Sequence, residues 1–287
     1  MTLKKEAGSP GVVDRFQRRA RRFAVAIVCC ALTLGAAAAA AKSISVPSAG
    51  IKTISQAVVK ATAGDTIWVD NGVYRELVML PPGVALVARS LFKAVIDGGG
   101  KGTVITMGKS TTLFGFEIRN GTIGVFSNGA GNTIKACRII NNWQTGIITV
   151  RHLPKIEDNI IAFNRGSGIQ GWDVRSTNAS VNHNTISFNG NHGIAMGGSS
   201  SILVENNTIA YNERFAMKAL KDAEDIRVTN NNFFSNLSAP GGVPKGNFSF
   251  NPAFMAPRSR MNFASDPKQC CQIKGTDNEN LGARLTY

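Results

Sequence analysis

Asn159-Ile160-Ile161-Ala162-Phe163-Asn164 decides the fold, because the chain repeats it. The pattern Asn-x-Ile-x-x-Asn returns as Asn184-Thr185-Ile186-Ser187-Phe188-Asn189 and as Asn207-Thr208-Ile209-Ala210-Tyr211-Asn212. A weaker copy is Asn231-Asn232-Phe233-Phe234-Ser235-Asn236, and upstream Cys137-Arg138-Ile139-Ile140-Asn141-Asn142 and Phe116-Glu117-Ile118 fit in part. The central apolar residues Ile118, Ile139, Ile161, Ile186, Ile209 and Phe233 stand 21, 22, 25, 23 and 24 residues apart. Self-similarity at such a period marks a solenoid.

Two further apolar columns keep the same beat. Ile147, Ile169, Ile194 and Met217 follow the motif, preceded by Gly146, Gly168, Gly193 and Ala216; Ile134, Ile156, Val181, Val204 and Val228 come before it. Each turn therefore holds three short β-type segments parted by Asn- and Gly-rich bends. At about 3.3 Å per strand residue, three such segments and their bends make one coil. Asn suits the bends because it tolerates left-handed backbone and bonds neighbouring backbone groups. Stacked Asn159, Asn184, Asn207 and Asn231 are expected to form a hydrogen-bonded ladder. The Leu-x-x-Leu-x-Leu frame of leucine-rich repeats is missing, and the Gly/Asn density forbids helical repeats. The fold class is all-β: a single-stranded, right-handed parallel β-helix with three short strands per coil and a short N-terminal capping helix. Ile54, Ala57, Val58 and Ala61 share one helical face, suited to plug the open end of the tube.

The ends carry a family resemblance. Ile51-Lys52-Thr53-Ile54-Ser55-Gln56-Ala57-Val58, then Ala63-Gly64-Asp65-Thr66-Ile67-Trp68-Val69 and Gly72-Val73-Tyr74-Arg75-Glu76 resemble the entry of pectate-lyase-like β-helix proteins. Asn251-Pro252-Ala253-Phe254, Met261-Asn262-Phe263 and Leu281-Gly282-Ala283 resemble an ending of secreted members, with Asn251 where an acid is usual. The resemblance covers nearly all of residues 43–287. It implies fold and export, but not one activity, since the fold hosts lyases, hydrolases, esterases, epimerases and adhesins.

Export is also written in the first residues. Arg15, Arg18, Arg19, Arg21 and Arg22 precede the uncharged stretch Phe23 to Ala41, which ends in alanines. This is a secretory signal peptide over residues 1–41; the rival is an uncleaved anchor, barely long enough to span a bilayer. Either reading places the body secreted or periplasmic. The expected organisation is 1–41 signal peptide, 42–80 N-terminal cap and first coil, 81–236 β-helix and 237–287 C-terminal tail. After residue 41 the chain has 25 basic and 16 acidic residues. That balance favours anionic partners, while the absence of a dense Lys/Arg run argues against nucleic acid. Membrane contact is expected only through an uncleaved N-terminal segment. Cys137, Cys270 and Cys271 remain after the signal, an odd number that defines no disulfide framework.

In the resembling superfamily the substrate groove lies along one strand ladder, here the Gly-Ile column. With Ile147, Ile169, Ile194 and Met217 inward, the outward row is Ile148 and Val150, Gln170 and Trp172, Ala195 and Gly197, Lys218 and Leu220. A polyuronide lyase or epimerase needs a base and a cation beside the carboxylate. Lys218, His192 and Arg151 are the catalytic candidates, with His152 beside Arg151. Trp172, Gln170, Asp173, Arg175 and Lys221 are the substrate-binding candidates. Trp172 and Trp143 offer flat faces for sugar rings. The bland alternatives are solvated charges, a bend-lining His192, a structural His183 and a Trp143 packed under its own loop. Hydrolysis needs two facing carboxylates, and the row offers only Asp173. No acid cluster argues for calcium and no His/Cys spacing for zinc, so no cofactor is expected. The reading is an exported protein that meets anionic polysaccharide, as a lyase or epimerase or as a non-catalytic adhesive or structural surface protein. A third class, periplasmic metal-handling accessory proteins resembling NosD, shares the repeat but sits poorly with so few exposed His and Met clusters.

Overall fold

The computed structural model describes residues 40–175, 179–220, 224–237, 242–266, 268 and 274–285, with only the backbone for 199–201, 224 and 225. Residues 1–39, which hold most of the expected signal peptide, and Cys270, Cys271 and Lys221 lie outside the described residues. Among the described residues, no helix is long and apolar enough to cross a membrane.

The three segments of each coil join three parallel sheets of nine, eight and seven strands, each pairing with its equivalent one coil away. All three apolar columns stack in register. Ile118, Ile139, Ile161, Ile186, Ile209 and Phe233 are successive partners in the eight-stranded sheet. Val125, Ile147, Ile169, Ile194 and Met217 follow one another in the seven-stranded sheet. Ile134, Ile156, Val181, Val204 and Val228 do so in the nine-stranded sheet. Most of these side chains are fully buried, each contributing about 1.5–3 kcal/mol.

Two asparagine ladders run up the tube, and only the first was expected. Asn159, Asn184, Asn207 and Asn231 each pass an Nδ2–H to the next Oδ1, ending on Asn247, at 2.8–3.0 Å. Asn142, Asn164, Asn189 and Asn212 do the same up to Asn236, at 2.9–3.0 Å. The second amide hydrogen goes to a carbonyl of the preceding coil, as from Asn184 to Ile156, or for Asn142 to Ile140 of its own coil, so these buried amides are satisfied. The ladder asparagines are not the left-handed residues. Positive φ falls on the residue just before each: Asp158, His183, Asn206 and Asn230 on one ladder, Phe163, Phe188, Tyr211 and Ser235 on the other. An aromatic in that conformation costs about 1–2 kcal/mol. Here it turns the ring outward, where Phe163, Phe188 and Tyr211 stack with centroids 5.2 and 5.0 Å apart.

Glycine precedes the seven-stranded sheet for a steric reason. A Cβ on Gly193 would lie 2.5 Å from Ile209 Cγ2 and 2.6 Å from the Ala216 carbonyl; Gly146 and Gly168 face the same obstruction one coil on. Ala216 is tolerated because, among the described residues, no further strand of that sheet follows it.

The two ends differ. At the N-terminus, helix α1 (Ile54–Lys60) opens with a capping box between Thr53 and Gln56 and buries Ile54 and Ala57, while Val58 and Ala61 pack partly against the core. At the C-terminus, Met217, Ile226 and Val228 are only partly buried and line a cavity of about 480 Å³ with Phe233, Leu237 and Val243. The chain then folds back over the outside of the eight-stranded sheet. The hairpin strands Phe254–Ala256 and Asn262–Ser265 set Phe254 and Phe263 against the aromatic stack. Gly282 then passes close to Thr185 and Thr208. This explains why Ile160–Ala162, Thr185–Ser187 and Thr208–Ala210 are buried on both faces.

Candidate functional site

The outer face of the seven-stranded sheet is a short slope of strands Ile123–Ser127, Ile147–Val150, Ile169–Trp172, Ile194–Met196 and Met217–Ala219. Strand alternation sends Phe126, Ile148, Gln170, Ala195 and Lys218 outward as one register column. Val150 and Trp172 form a second. Trp172 is 49% exposed and Lys218 is exposed, whereas Ile148, Val150, Gln170 and Leu220 are half-buried. Two members of the expected row are not exposed: Ala195 retains 2% of its surface and Gly197 is buried. Ala195 is short and lies between the longer Gln170 and Lys218. Gly197 is covered because Val174 turns inward beside it, donating its amide to the Gly197 carbonyl at 2.9 Å.

The named candidates fall into two groups on opposite edges of this face. Lys218 and His192 belong to the entering edge and centre. His192 is 5% exposed and stacks on Phe215 with centroids 5.5 Å apart. Its Nδ1 is buried without a hydrogen-bond partner. Burial lowers its pKa, and Lys218 and Arg214 lower it further, so the ring is neutral near pH 7. Gln170 sits one column position before Ala195 and accepts from the Thr145 hydroxyl at 3.4 Å. Arg151, Trp172, Asp173 and Arg175 gather at the leaving edge. The Arg151 amide donates to the Trp172 carbonyl at 3.0 Å and the Arg175 amide to the Arg151 carbonyl at 2.7 Å. Arg175 is paired with Asp173 at 2.9 Å, both exposed. Arg151 and Asp173 have positive φ, which places the bend directly after the strand.

Trp143 marks the entering edge one coil before Trp172. It is 51% exposed, with the Arg165 guanidinium 3.8 Å from its ring centroid. It is therefore not packed under its own loop, and one ring face already carries a cation. Arg165 and Arg214 are the basic residues that sequence reasoning missed here. Their signal was positional: each follows a ladder asparagine by one or two residues, Asn164 and Asn212.

The charges of this face are largely uncommitted. No carboxylate among the described residues lies within 4 Å of Arg151, Arg165, Arg214 or Lys218. The eight-stranded sheet contrasts with it: Arg119 and Arg138 share Glu117, and Arg119 also holds Asp97 at 3.1 Å. His183 is structural, fully buried and bonded through Nε2 to Asp277 at 2.7 Å. Cys137 is a core residue whose thiol burial pushes up to about 12.

A family model described as periplasmic copper-binding protein (NosD) matches residues 43–252. No curated protein sequence matches the chain. Among solved structures, the alginate lyase from Paenibacillus sp. str. FPU-7 aligns at 14% identity over 67% of this chain and 76% of that one, with TM-score 0.47. Pectin methylesterase PemA from Erwinia chrysanthemi aligns at 13% identity over 80% of this chain and 98% of that one, with TM-score 0.40. A pectin methylesterase in complex with a hexasaccharide aligns at 12% identity over 81% and 98%, with TM-score 0.39.

Proposed function

The chain belongs to the NosD family of periplasmic β-helix proteins, and from that premise we propose that it binds an acidic polysaccharide on the outer face of its seven-stranded sheet. The observation that carries this reading is the pair of half-exposed tryptophans, Trp143 and Trp172, on adjacent coils at opposite edges of one face, where Arg151, Arg165, Arg214 and Lys218 have no acidic partner among the described residues and only Arg175 is paired. An indole presents a flat apolar surface to a sugar ring, and free guanidinium and ammonium groups take its carboxylates. Trp172, Gln170, Arg151 and Trp143 form the binding row; Asp173 orients Arg175.

Within this reading, elimination or epimerisation is the chemistry the residues serve. A neutral His192 is able to accept the proton next to a uronate carboxylate, and Lys218, whose charge is felt at His192, is the cation for the developing negative charge. Arg151, at the other edge, has a binding role. Hydrolysis stays disfavoured because Asp173 is tied to Arg175 and no second carboxylate faces it in the described groove.

A copper site, drawn from the family description, does not fit the described residues. They contain no group of three His, Cys, Asp or Glu able to hold a metal. The Cys137 thiol is sealed in the core, and His183 is committed to Asp277.

The test is to incubate the purified protein with polyuronides and glycosaminoglycans, following binding and the absorbance of unsaturated product in parallel. Binding that Trp172→Ala weakens supports the reading, and no binding by any of them overturns it. Product lost in both Lys218→Ala and His192→Ala assigns elimination; binding without product assigns a non-catalytic glycan-binding role.

A further inference from the structure

The N-terminal rim of the tube combines exposed apolar side chains with uncommitted cations. On α1, Val59 is 86% exposed and Lys60 beside it is exposed, with exposed Lys52 just ahead of the helix. The corner joining strand Gly72–Tyr74 to strand Val78–Leu80 presents Val73, Arg75, Leu77 and Met79, with Met79 71% exposed. Helix and corner form one surface. The Glu76 carboxylate accepts from the Ile54 and Ser55 amides at 2.9 and 2.8 Å, and from the Ser55 hydroxyl at 2.6 Å. Four of the ten exposed large hydrophobics among the described residues lie on this small part of the fold, a concentration that marks an interaction surface.

Charge selects the partner. The carboxylates of this end are turned inward or matched: Glu76 caps the helix, Asp65 holds the amides of Lys42 and Thr62 at 2.8 Å, and Asp70 pairs with Arg89. Among the described residues no acid lies within 4 Å of Lys52, Lys60 or Arg75. Valine, leucine and methionine interleaved with free cations suit an anionic bilayer, where apolar tips enter the headgroup boundary and the cations meet phosphates. The first described strand begins at this rim, where the Lys42 amide donates to Asp65 at 2.8 Å.

We propose that this rim, formed by Lys52, Val59, Lys60, Arg75, Leu77 and Met79, docks on the surface of an anionic phospholipid bilayer. The contact is separate from the glycan face and does not depend on it. It extends the membrane contact expected from the sequence, which was confined to the N-terminal segment.

The test uses protein beginning at Ala40, since residues 40–287 form one compact unit. It is co-sedimented with vesicles of phosphatidylglycerol and phosphatidylcholine, and with vesicles of phosphatidylcholine alone. The expected result is preference for the anionic vesicles and a roughly tenfold weaker partition for the double variant Val59→Asp, Lys60→Glu. The double variant Arg151→Ala, Lys218→Ala keeps its binding. Both pairs are surface changes, and circular dichroism checks that each variant retains its strands. No preference for anionic lipid, rim-variant binding equal to the parent, or an equal loss in the Arg151/Lys218 variant would overturn the proposal.

Discussion

Arg284 closes on Asp158 through two parallel hydrogen bonds of 2.7 and 3.0 Å, across 126 residues of sequence. Asp158 is nearly buried, and its bend belongs to the central coils. The chain's last described residues are thereby tied to the middle of the solenoid. Asp158→Asn is expected to weaken this tie by about 1–3 kcal/mol. Hydrogen exchange should rise in residues 274–285 while the Ile161, Ile186 and Ile209 strands stay protected. Unchanged exchange in the tail refutes this.

The same segment is expected to loosen in acid. Burial works against ionisation of Asp277, but the Glu279 amide and His183 outweigh it and hold the carboxyl below its ordinary 3.8. A folded value below the unfolded one means that the contribution is complete above about pH 4 and fades as pH falls through the folded value. Proteolysis of the tail should therefore accelerate below that point in the parent. Asp277→Asn should be faster at neutral pH and show a smaller acid response.

Asn184→Ala should destabilise the protein by roughly 3 kcal/mol or more. It removes the acceptor for the Asn159 amide and Nδ2, and the donor to Asn207 and Ile156, all in the buried interior. Asn236→Ala, at the half-buried end of the second ladder, should cost clearly less. Urea unfolding of both variants checks the order.

Gly168→Ala should lower stability by about 1–3 kcal/mol, because its Cβ would meet Ile186 Cγ2 at 2.6 Å and the Gly193 carbonyl at 2.8 Å. Ala216→Gly at the equivalent position of the last coil relieves no such contact. It should shift the thermal midpoint far less, and only downward.

Glycan binding should fall steeply with added salt, since the cations of the face are exposed and screened within about 8–10 Å. Arg151→Ala should flatten that salt dependence, whereas Trp172→Ala should weaken binding at every ionic strength alike. Titrations at two salt concentrations separate the two effects.

The three stacked columns, the capping helix and the first ladder were legible because each is written as a residue type returning at the coil period. The second ladder, through Asn164, Asn189 and Asn212, carried the same signal but stood next to an aromatic, and its partner one coil on is visible only in three dimensions. The left-handed residues were misplaced by one position, since Asn is the usual occupant and here Phe163, Phe188 and Tyr211 take it. Trp172 and Lys218 followed from simple alternation. Ala195 and Gly197 did not, because burial of an outward residue depends on the lengths of its column neighbours and on Val174 folding over it. The return of the tail to Asp158 has no local signature at all.

The partly filled mouth beyond Met217, Ile226 and Val228 gives the cylinder a mechanical polarity. A pull on the two termini, or a slow rise in temperature, meets a sealed lid at one end and a half-built last rung at the other. Unzipping should start from the latter and stall at the rungs clamped by Arg284, so that the molecule frays in one direction.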